Sequence, residues 1–497
     1  MSTTSPGRTD LRDGCRGLAP LTGRVEPWLA DVAARPGDLA GWLDAHGSPL
    51  NVLDPGPMGR NARELQDAAA THGLELGIFF ARKANKALAL VDEAARLGLG
   101  IDVASERELR QVLDRGVDPS RIVLTAAVKP VSLLRLCVEA RPTVALDNAD
   151  ELAALTSLLR PDGPPVPVAL RLAPELGPDR PPTRFGLDVD AWLALVDRAW
   201  PAGGGGPSTG ARVAGVHFHL DGYDAGERAV ALGQALRLVD ALRERGHDPS
   251  FVDVGGGIPM SYLDDRDEWD RFWDAHRAGL LGDGPALTFG GHGLGLGVHD
   301  GAITGSPNGY PYAQSPVRGA WLDGLLGTPV GPGGPTAGQA LRGRGLELRC
   351  EPGRSLLDGC GATVARVAFR KRRADGTWLI GAEMNRTQCR TTSDDFLVDP
   401  LVVRPPGVAP AHDDEAAHDE IEGFLVGAYC IERELLTWRR LRFPRGVAVG
   451  DLVVFPNTAG YLMHILESAS HQIPLAQNVV LGEGGEPTLD RIDRATG

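Results

Sequence analysis

Lysine is the residue this sequence most conspicuously lacks. Four of its fifty-one basic side chains are lysines and the rest are arginines, so where a plain cation suffices the chain uses a guanidinium. An arginine stays protonated and cannot form an imine, whereas a lysine amine can lose its proton and attack a carbonyl. Other absences narrow the class. No run of 18 apolar residues occurs, so no transmembrane helix is expected. The opening residues MSTTSPGRTDLRDGCRG hold no apolar stretch, and no secretory signal is expected. The six cysteines, at 15, 137, 350, 360, 389 and 430, make no C-x-x-C pair. That scatter fits reduced thiols in a cytoplasm better than a disulfide or zinc framework. A basic excess is also missing. The net charge of −14 argues against nucleic acid or an anionic membrane as partner. An anionic cofactor stays open, because local donors rather than net charge hold a phosphate.

Two of the four lysines sit in one short segment, Phe79-Phe80-Ala81-Arg82-Lys83-Ala84-Asn85-Lys86. Around it, short apolar strands alternate with helical stretches: Leu76–Ala81, Gly100–Val103, Arg121–Thr125, Thr143–Leu146, Val166–Leu172, Arg212–His219, Phe251–Val254 and Leu346–Glu351. Eight strands with intervening helices predict an α/β fold, a parallel (β/α)8 TIM-like barrel. Ser105 and Glu108 read as a capping box ahead of the Leu109, Val112, Leu113 stripe, and Asp147 or Asn148 starts the helix carrying Leu152 and Leu155. The stretch Gly203–Gly210 reads as a flexible surface loop. After residue 351 the texture turns to β-branched runs, Ala362–Val367, Trp378–Ile380, Leu401–Val403 and Leu452–Phe455, broken by an acidic segment, Pro405–Glu420, expected to be mobile. The expected domains are therefore a barrel over 56–350 and a mostly β domain from 351–497, to which residues 1–55 and Leu50–Leu53 add strands. About ninety residues separate the last two barrel strands, with an insertion at about 262–343. Barrel chemistry sits at strand C-termini, so this insertion is expected to form an active-site lid.

Several predicted strand ends carry polar residues that converge on the barrel mouth. Alternation puts Phe79, Ala81 and Lys83 on one face of the first strand. A free lysine is unprotonated about once in a few thousand molecules at pH 7; a desolvated mouth is expected to lower its pKa and free the amine. His217 and His219 share a face at the end of the sixth strand, where they can bind metal or lie against a flat ring. Gly255, Gly256 and Gly257 bare successive N–H groups that can hold a phosphate, or simply make a tight turn. Glu351 and Arg354 flank a Pro-Gly corner. In the β domain, Cys430 follows Gly427-Ala428-Tyr429, and Tyr461 ends Thr458-Ala459-Gly460-Tyr461; either can equally be a core residue.

Taken in order, FFARKANKA, GLGIDVASERELRQVL, ALRL, TRFGL, GVHFHL, FVDVGGGIP, CEPGRS, VGAYC and GDLVVFPNTAGY resemble the fold-type III pyridoxal-phosphate decarboxylases, the group of diaminopimelate and ornithine decarboxylases, across roughly residues 48–475. The resemblance implies an alanine-racemase-like barrel holding pyridoxal 5'-phosphate and a decarboxylase acting on an amino acid. By that likeness Lys83 bonds the cofactor aldehyde, His219 lies on the pyridine ring, and Gly255, Gly256 and Gly257 take the phosphate. Glu351 pairs with the pyridine nitrogen and keeps it protonated, which makes the ring a better electron sink. Arg354 reaches the phosphate or a substrate carboxylate, and Tyr461 the phosphate. Asp102 and Arg171 match positions near the lysine and ring. Cys430 matches the thiol that the second subunit of a homodimer supplies to its neighbour's site, and Cys430 or Lys83 returns the proton to the product.

The sequence departs from the family in places. His219-Leu220-Asp221-Gly222 stands where a His-x-Gly-Ser element is usual. Ile431 replaces an acidic residue after the cysteine, and Glu434 a usual Asp. These departures point to a changed substrate, a modified or conjugated amino acid or a diamino acid, with Tyr310, Tyr312 and the insertion shaping the pocket. Three alternatives remain: racemisation or other Cα chemistry on the same cofactor, a metal-dependent barrel hydrolase using His217-x-His219, and a non-catalytic cofactor-binding protein.

Overall fold

The computed structural model describes residues 11–160, 163–200, 210–391, 396–410, 414–482 and 485–494; most of the expected Gly203–Gly210 loop lies outside them. Eight parallel strands close into a barrel: β1 Leu76–Ala81, β2 Gly100–Val103, β3 Ile122–Leu124, β4 Thr143–Leu146, β5 Val166–Arg171, β6 Ala211–His217, β7 Phe251–Asp253 and β8 Glu347–Cys350. β8 pairs with β1 on one side and with β7 on the other. The strands alternate as expected. Phe80 faces outward into the shell of helices, among Leu65, Leu90 and Ile101. Phe79 and Phe251 face inward and fill the lower barrel, where the Arg349 guanidinium lies 3.7 Å from the Phe251 ring centroid and 5.1 Å from that of Phe79. Gly215 makes room for this plug, since a Cβ there would come within 2.5 Å of the Phe251 ring.

Helix starts at the C-terminal ends of the strands are capped by side chains. Ser105, Asn148, Asp188 and Asp224 each accept a hydrogen bond from the backbone N–H three residues on, each cap contributing about 1 kcal/mol. The expected reciprocal box at Ser105 is displaced by one residue: Glu108 accepts from the N–H of Ala104 at 2.7 Å rather than from that of Ser105.

The second domain is built around the long strand Gly361–Arg372, which pairs antiparallel with Leu50–Leu53, with Leu452–Phe455 and with Trp378–Ala382. Leu50–Leu53 also runs parallel to Gln477–Leu481. Helices Pro27–Ala33 and Pro36–His46 cover one face through Leu29, Val32, Leu39 and Leu43. Two strands that β-branched content does not announce, Ile421–Val426 and Leu441–Phe443, extend the sheet. The acidic segment is tied down where it is described: Asp414 accepts two hydrogen bonds from Arg370, at 3.1 and 2.7 Å, and Glu415–His418 is helical.

The region at 262–343 divides in two. Its last helices, Arg318–Gly327 and Ala337–Gly343, pack on the barrel helices Pro57–Thr71 and Ala225–Glu244. The preceding part holds the helix Asp267–Leu281 and the hairpin Leu296–His299/Ala302–Gly305. Its Tyr262, Phe272, Trp273 and Tyr312 share one core with Ile380, Phe396, Leu436 and Phe443 of the β domain. The expected lid is thus a wedge between domains, because its aromatic side chains are already buried.

Candidate active site

Lys83 follows β1 in a single 3-10 turn, Arg82–Ala84, so strand alternation delivers its amine to the mouth. Its Nζ donates to Asp102 Oδ2 at 3.0 Å, and Thr125 Oγ1 donates to the other Asp102 oxygen at 2.5 Å. Burial pulls the ammonium pKa down, but Asp102, Tyr461 and Glu351 outweigh it and hold the group above the ordinary lysine range. The sequence expectation is therefore reversed: a desolvated mouth does not free this amine while the Asp102 carboxylate lies against it. The other lysines are committed elsewhere. Lys129 donates to Glu151 at 2.9 Å and to the Ala126 carbonyl at 2.8 Å, Lys86 pairs with Glu467, and Lys371 lies at the Phe369 ring.

Lys83 opens into a cavity of about 320 Å3. Across from it stands Glu351, 2% exposed. Burial first, then Asp102, pushes its pKa up to about 8, against the opposing pull of Lys83 and Arg171. Glu351 Oε1 has no aligned hydrogen-bond partner and lies 3.2 Å from His217 Nε2. His219 also lines the cavity; its Nδ1 accepts from the Gly256 N–H at 3.1 Å, and burial, followed by Lys83, holds it well below the usual histidine range. Gly256 and Gly257 form one wall. Gly255 and Gly257 have φ of 69° and 72°, where a side chain is strained. A Cβ on Gly256 would come within 2.8 Å of the Glu351 carbonyl, and one on Gly257 would collide with Arg228.

Arg354 and Tyr461 close the opposite rim. Arg354 donates to the Tyr262 hydroxyl at 2.9 Å, the Gly460 carbonyl at 3.0 Å and Thr391 Oγ1 at 3.2 Å, with its guanidinium 3.9 Å from the Tyr310 ring centroid. Arg171 lies deeper, donating to Asp147 at 3.3 Å and stacked 4.0 Å from the Phe185 ring. Burial lowers its pKa despite Asp147 and Glu351. Asp221 is exposed at the mouth.

Other sequence candidates stand apart. Tyr312 is fully buried among Tyr262, Trp269 and Phe396 and does not line the cavity; the wedge core claims it. Cys430 and Ile431 are exposed, and Glu434 is buried against Arg386, whose N–H it accepts at 2.7 Å. None of the three lines the Lys83 cavity of its own chain. Sequence reasoning missed Tyr223, Thr391 and Ile465 on the cavity wall, and Arg228, which is 1% exposed and donates to the Gly256 carbonyl at 2.7 Å. Arg228 shares a helical stripe with Leu232 and Ala235, the one signal that marks it as inward-facing.

A family model described as the pyridoxal binding domain of pyridoxal-dependent decarboxylases matches residues 59–276. The chain is 31% identical over 478 residues to an uncharacterized protein of Sinorhizobium fredii, covering 95% of this chain and 96% of that one. It is 24% identical over 444 residues to a diaminopimelate decarboxylase of Pseudomonas aeruginosa, covering 87% of each. Among solved structures, a diaminopimelate decarboxylase from M. jannaschi superposes with a TM-score of 0.66 at 19% identity over 90% of each chain. The Paramecium bursaria Chlorella virus arginine decarboxylase bound to agmatine gives 0.60 at 16% identity, over 89% of this chain and 98% of that one. At such identities the solved structures show a shared fold.

Proposed function

The chain belongs to the fold-type III pyridoxal-dependent decarboxylases, and from that premise we propose that it removes CO2 from an amino acid with pyridoxal 5'-phosphate bonded at Lys83. The observation that carries this reading is the pairing of one amine and one buried carboxylate, Lys83 and Glu351, on the same cavity. The residues fit the cofactor. Glu351 brings a buried carboxylate to the cavity, and the glycine wall, backed by the Glu351 carbonyl and Arg228 with no room for a Cβ, presents bare backbone to it. When bound, the cofactor supplies an electron sink for the pair left behind as CO2 departs.

The protein's part is orientation and proton control. Asp102, 3.0 Å from Nζ, holds Lys83 in place as an ammonium, and that proton must leave before the amine can attack. Glu351 meets the ring nitrogen. Burial has raised its pKa, so a cationic ring nitrogen is the partner that returns it to the ionised form. Gly256 and Gly257, held by Arg228, would receive the phosphate with Tyr461, and His219 would lie against the ring. Arg171 steadies the floor beside Glu351, and Arg354 faces the phosphate or a substrate carboxylate.

The substrate is an amino acid whose side chain carries no simple distal ammonium, a modified or conjugated one. Beyond Lys83 the cavity offers Tyr223, Ile258, Thr391 and Ile465, and among the described residues its carboxylates are Glu351 and the exposed Asp221; Tyr310 backs Arg354. A diamino acid needs a further acid, and the described part of this wall offers none in a buried position. Cys430, Ile431 and Glu434 belong to a loop whose exposed members complete the site of a second copy in a homodimer, where Cys430 can return a proton to the product. The six free cysteines agree with a cytoplasmic protein.

Addition of pyridoxal phosphate to the purified chain is expected to give a visible absorption band, and hydride reduction followed by peptide mapping an adduct at Lys83. A panel of amino acids, modified ones included, is then expected to release CO2. A colourless protein with no adduct refutes the reading, and fast turnover of meso-diaminopimelate refutes the substrate assignment. Deuterium exchange at Cα without CO2 release identifies racemisation instead.

A further inference from the structure

Beneath the cavity floor, three neighbouring strands bring three titratable side chains together. His217 closes β6, Asp253 closes β7 in direct register with it, and Glu351 follows β8. All three are at most 2% exposed, and one oxygen or nitrogen from each lies within 4.8 Å of the others. One Asp253 oxygen accepts the Gly255 N–H at 2.9 Å. Its other oxygen, both His217 nitrogens and Glu351 Oε1 have no aligned hydrogen-bond partner. Four buried polar atoms in that condition are costly, and they lie close enough to satisfy one another by sharing protons.

We propose that His217 and Asp253 are positioning residues for Glu351: His217 donates its Nε2–H to Glu351 Oε1, Asp253 holds a proton behind the imidazole, and the second Glu351 oxygen is left aimed at the cavity. The inference rests on the reading above, in which Glu351 meets the cofactor ring. Its physical logic is that a carboxylate with no water needs a donor on its far side to stay ionised toward the near side. Burial supports the sharing of protons: it pushes Asp253 up to about 7 and His217 down to about 4. The other charged groups facing the three are Asp102, Lys83, Arg171 and Arg349. None of these hydrogen-bonds His217, which therefore depends on its two carboxylates.

The experiment uses the cofactor-loaded enzyme and reads the pH titration of the bound cofactor's visible band, alongside kcat and KM for the best substrate of the panel. His217→Leu is expected to move the titration and to lower kcat about tenfold while KM changes little. His217→Gln, whose amide N–H can reach the same oxygen, is expected to recover part of both effects. Asp253→Asn, nearly isosteric, is expected to act in the same direction and covers the case in which His217→Leu does not fold. In an Glu351→Gln background, His217→Leu is expected to add nothing to either readout. An unshifted titration in His217→Leu or Asp253→Asn overturns the proposal, as does a fully additive loss in the double variant. One equivalent of tightly bound divalent metal in the purified protein also overturns it, by assigning the triplet as ligands. If the wild type fails to take up cofactor, it is the function that fails; if the wild type loads normally beside an unshifted variant, only this inference does.

Discussion

The two ends of the barrel solve opposite problems with the same eight strands. At the lower end Arg349 is laid between two phenyl rings and donates to Glu347 at 2.8 Å, so its charge is satisfied and the interior is filled. At the mouth, Glu351, two residues further along the same stretch of chain, is buried with an oxygen that has no aligned partner. Strand alternation explains why both point inward; what differs is whether a partner is supplied. The packed end stabilises, and the unsatisfied end stores electrostatic free energy that a ligand can release.

That contrast can be broken in either direction. Lys83→Ala at the mouth is expected to cost about 10^3-fold or more in turnover with little change in stability, read by CO2 release and by a denaturant melt. Phe251→Ala at the packed end should do the reverse: about 3–5 kcal/mol of stability lost, with the cofactor band of the surviving folded protein unmoved. A Phe251→Ala variant as stable as the wild type would erase the distinction. Glu351→Gln is expected to lower kcat about 10^2-fold while cofactor stays bound, which steady-state kinetics and absorbance together resolve. Gly257→Ala forces a side chain to a φ of 72° and into Arg228; cofactor affinity is expected to weaken by about 1–3 kcal/mol, measured by titration.

A last expected effect concerns pH. His464 accepts the Lys86 N–H at 3.2 Å and bonds Asn478 at 2.9 Å, joining the lysine-bearing turn to the C-terminal strand. Burial, followed by the nearby Lys86, lowers its pKa to about 3. The folded imidazole thus stays neutral while the unfolded chain protonates near pH 6.5. This contribution is complete above about pH 6.5 and falls as pH drops toward 3, by about 1.4 kcal/mol per unit. His464→Gln is expected to flatten that part of the stability profile, and an unchanged slope in a pH series of melts would exclude it.

The barrel was legible because its strands are short apolar runs ended by polar residues, a local pattern, and all eight appear where alternation puts them. Lys83, Glu351, Gly256 and Gly257 could be placed on one cavity for the same reason, since each follows a strand end, whereas Gly255 lies off its wall. What escaped was set by distant chain. Arg228 looks like a solvated helical arginine until Trp321, from beyond the wedge, places a ring 5.2 Å from its guanidinium. Tyr310 and Tyr312 were expected to shape the pocket, yet neither lines the cavity: Tyr310 stands behind Arg354 and Tyr312 is buried in the wedge core. The lysine's pKa direction was misjudged on burial alone, since Asp102 arrives from the next strand.

The seam between β1 and β8 joins residues about 270 positions apart, and Leu50–Leu53 is likewise zipped to Gln477–Leu481 near the other end of the chain. A nascent polypeptide emerging from the ribosome can close neither seam until most of it has been made. The strand that carries Lys83 waits through synthesis as an open edge, without Glu351 opposite it. Topology therefore orders the mouth: Lys83 can meet Asp102 as soon as the next strand is made, but Glu351 only after about 270 further residues.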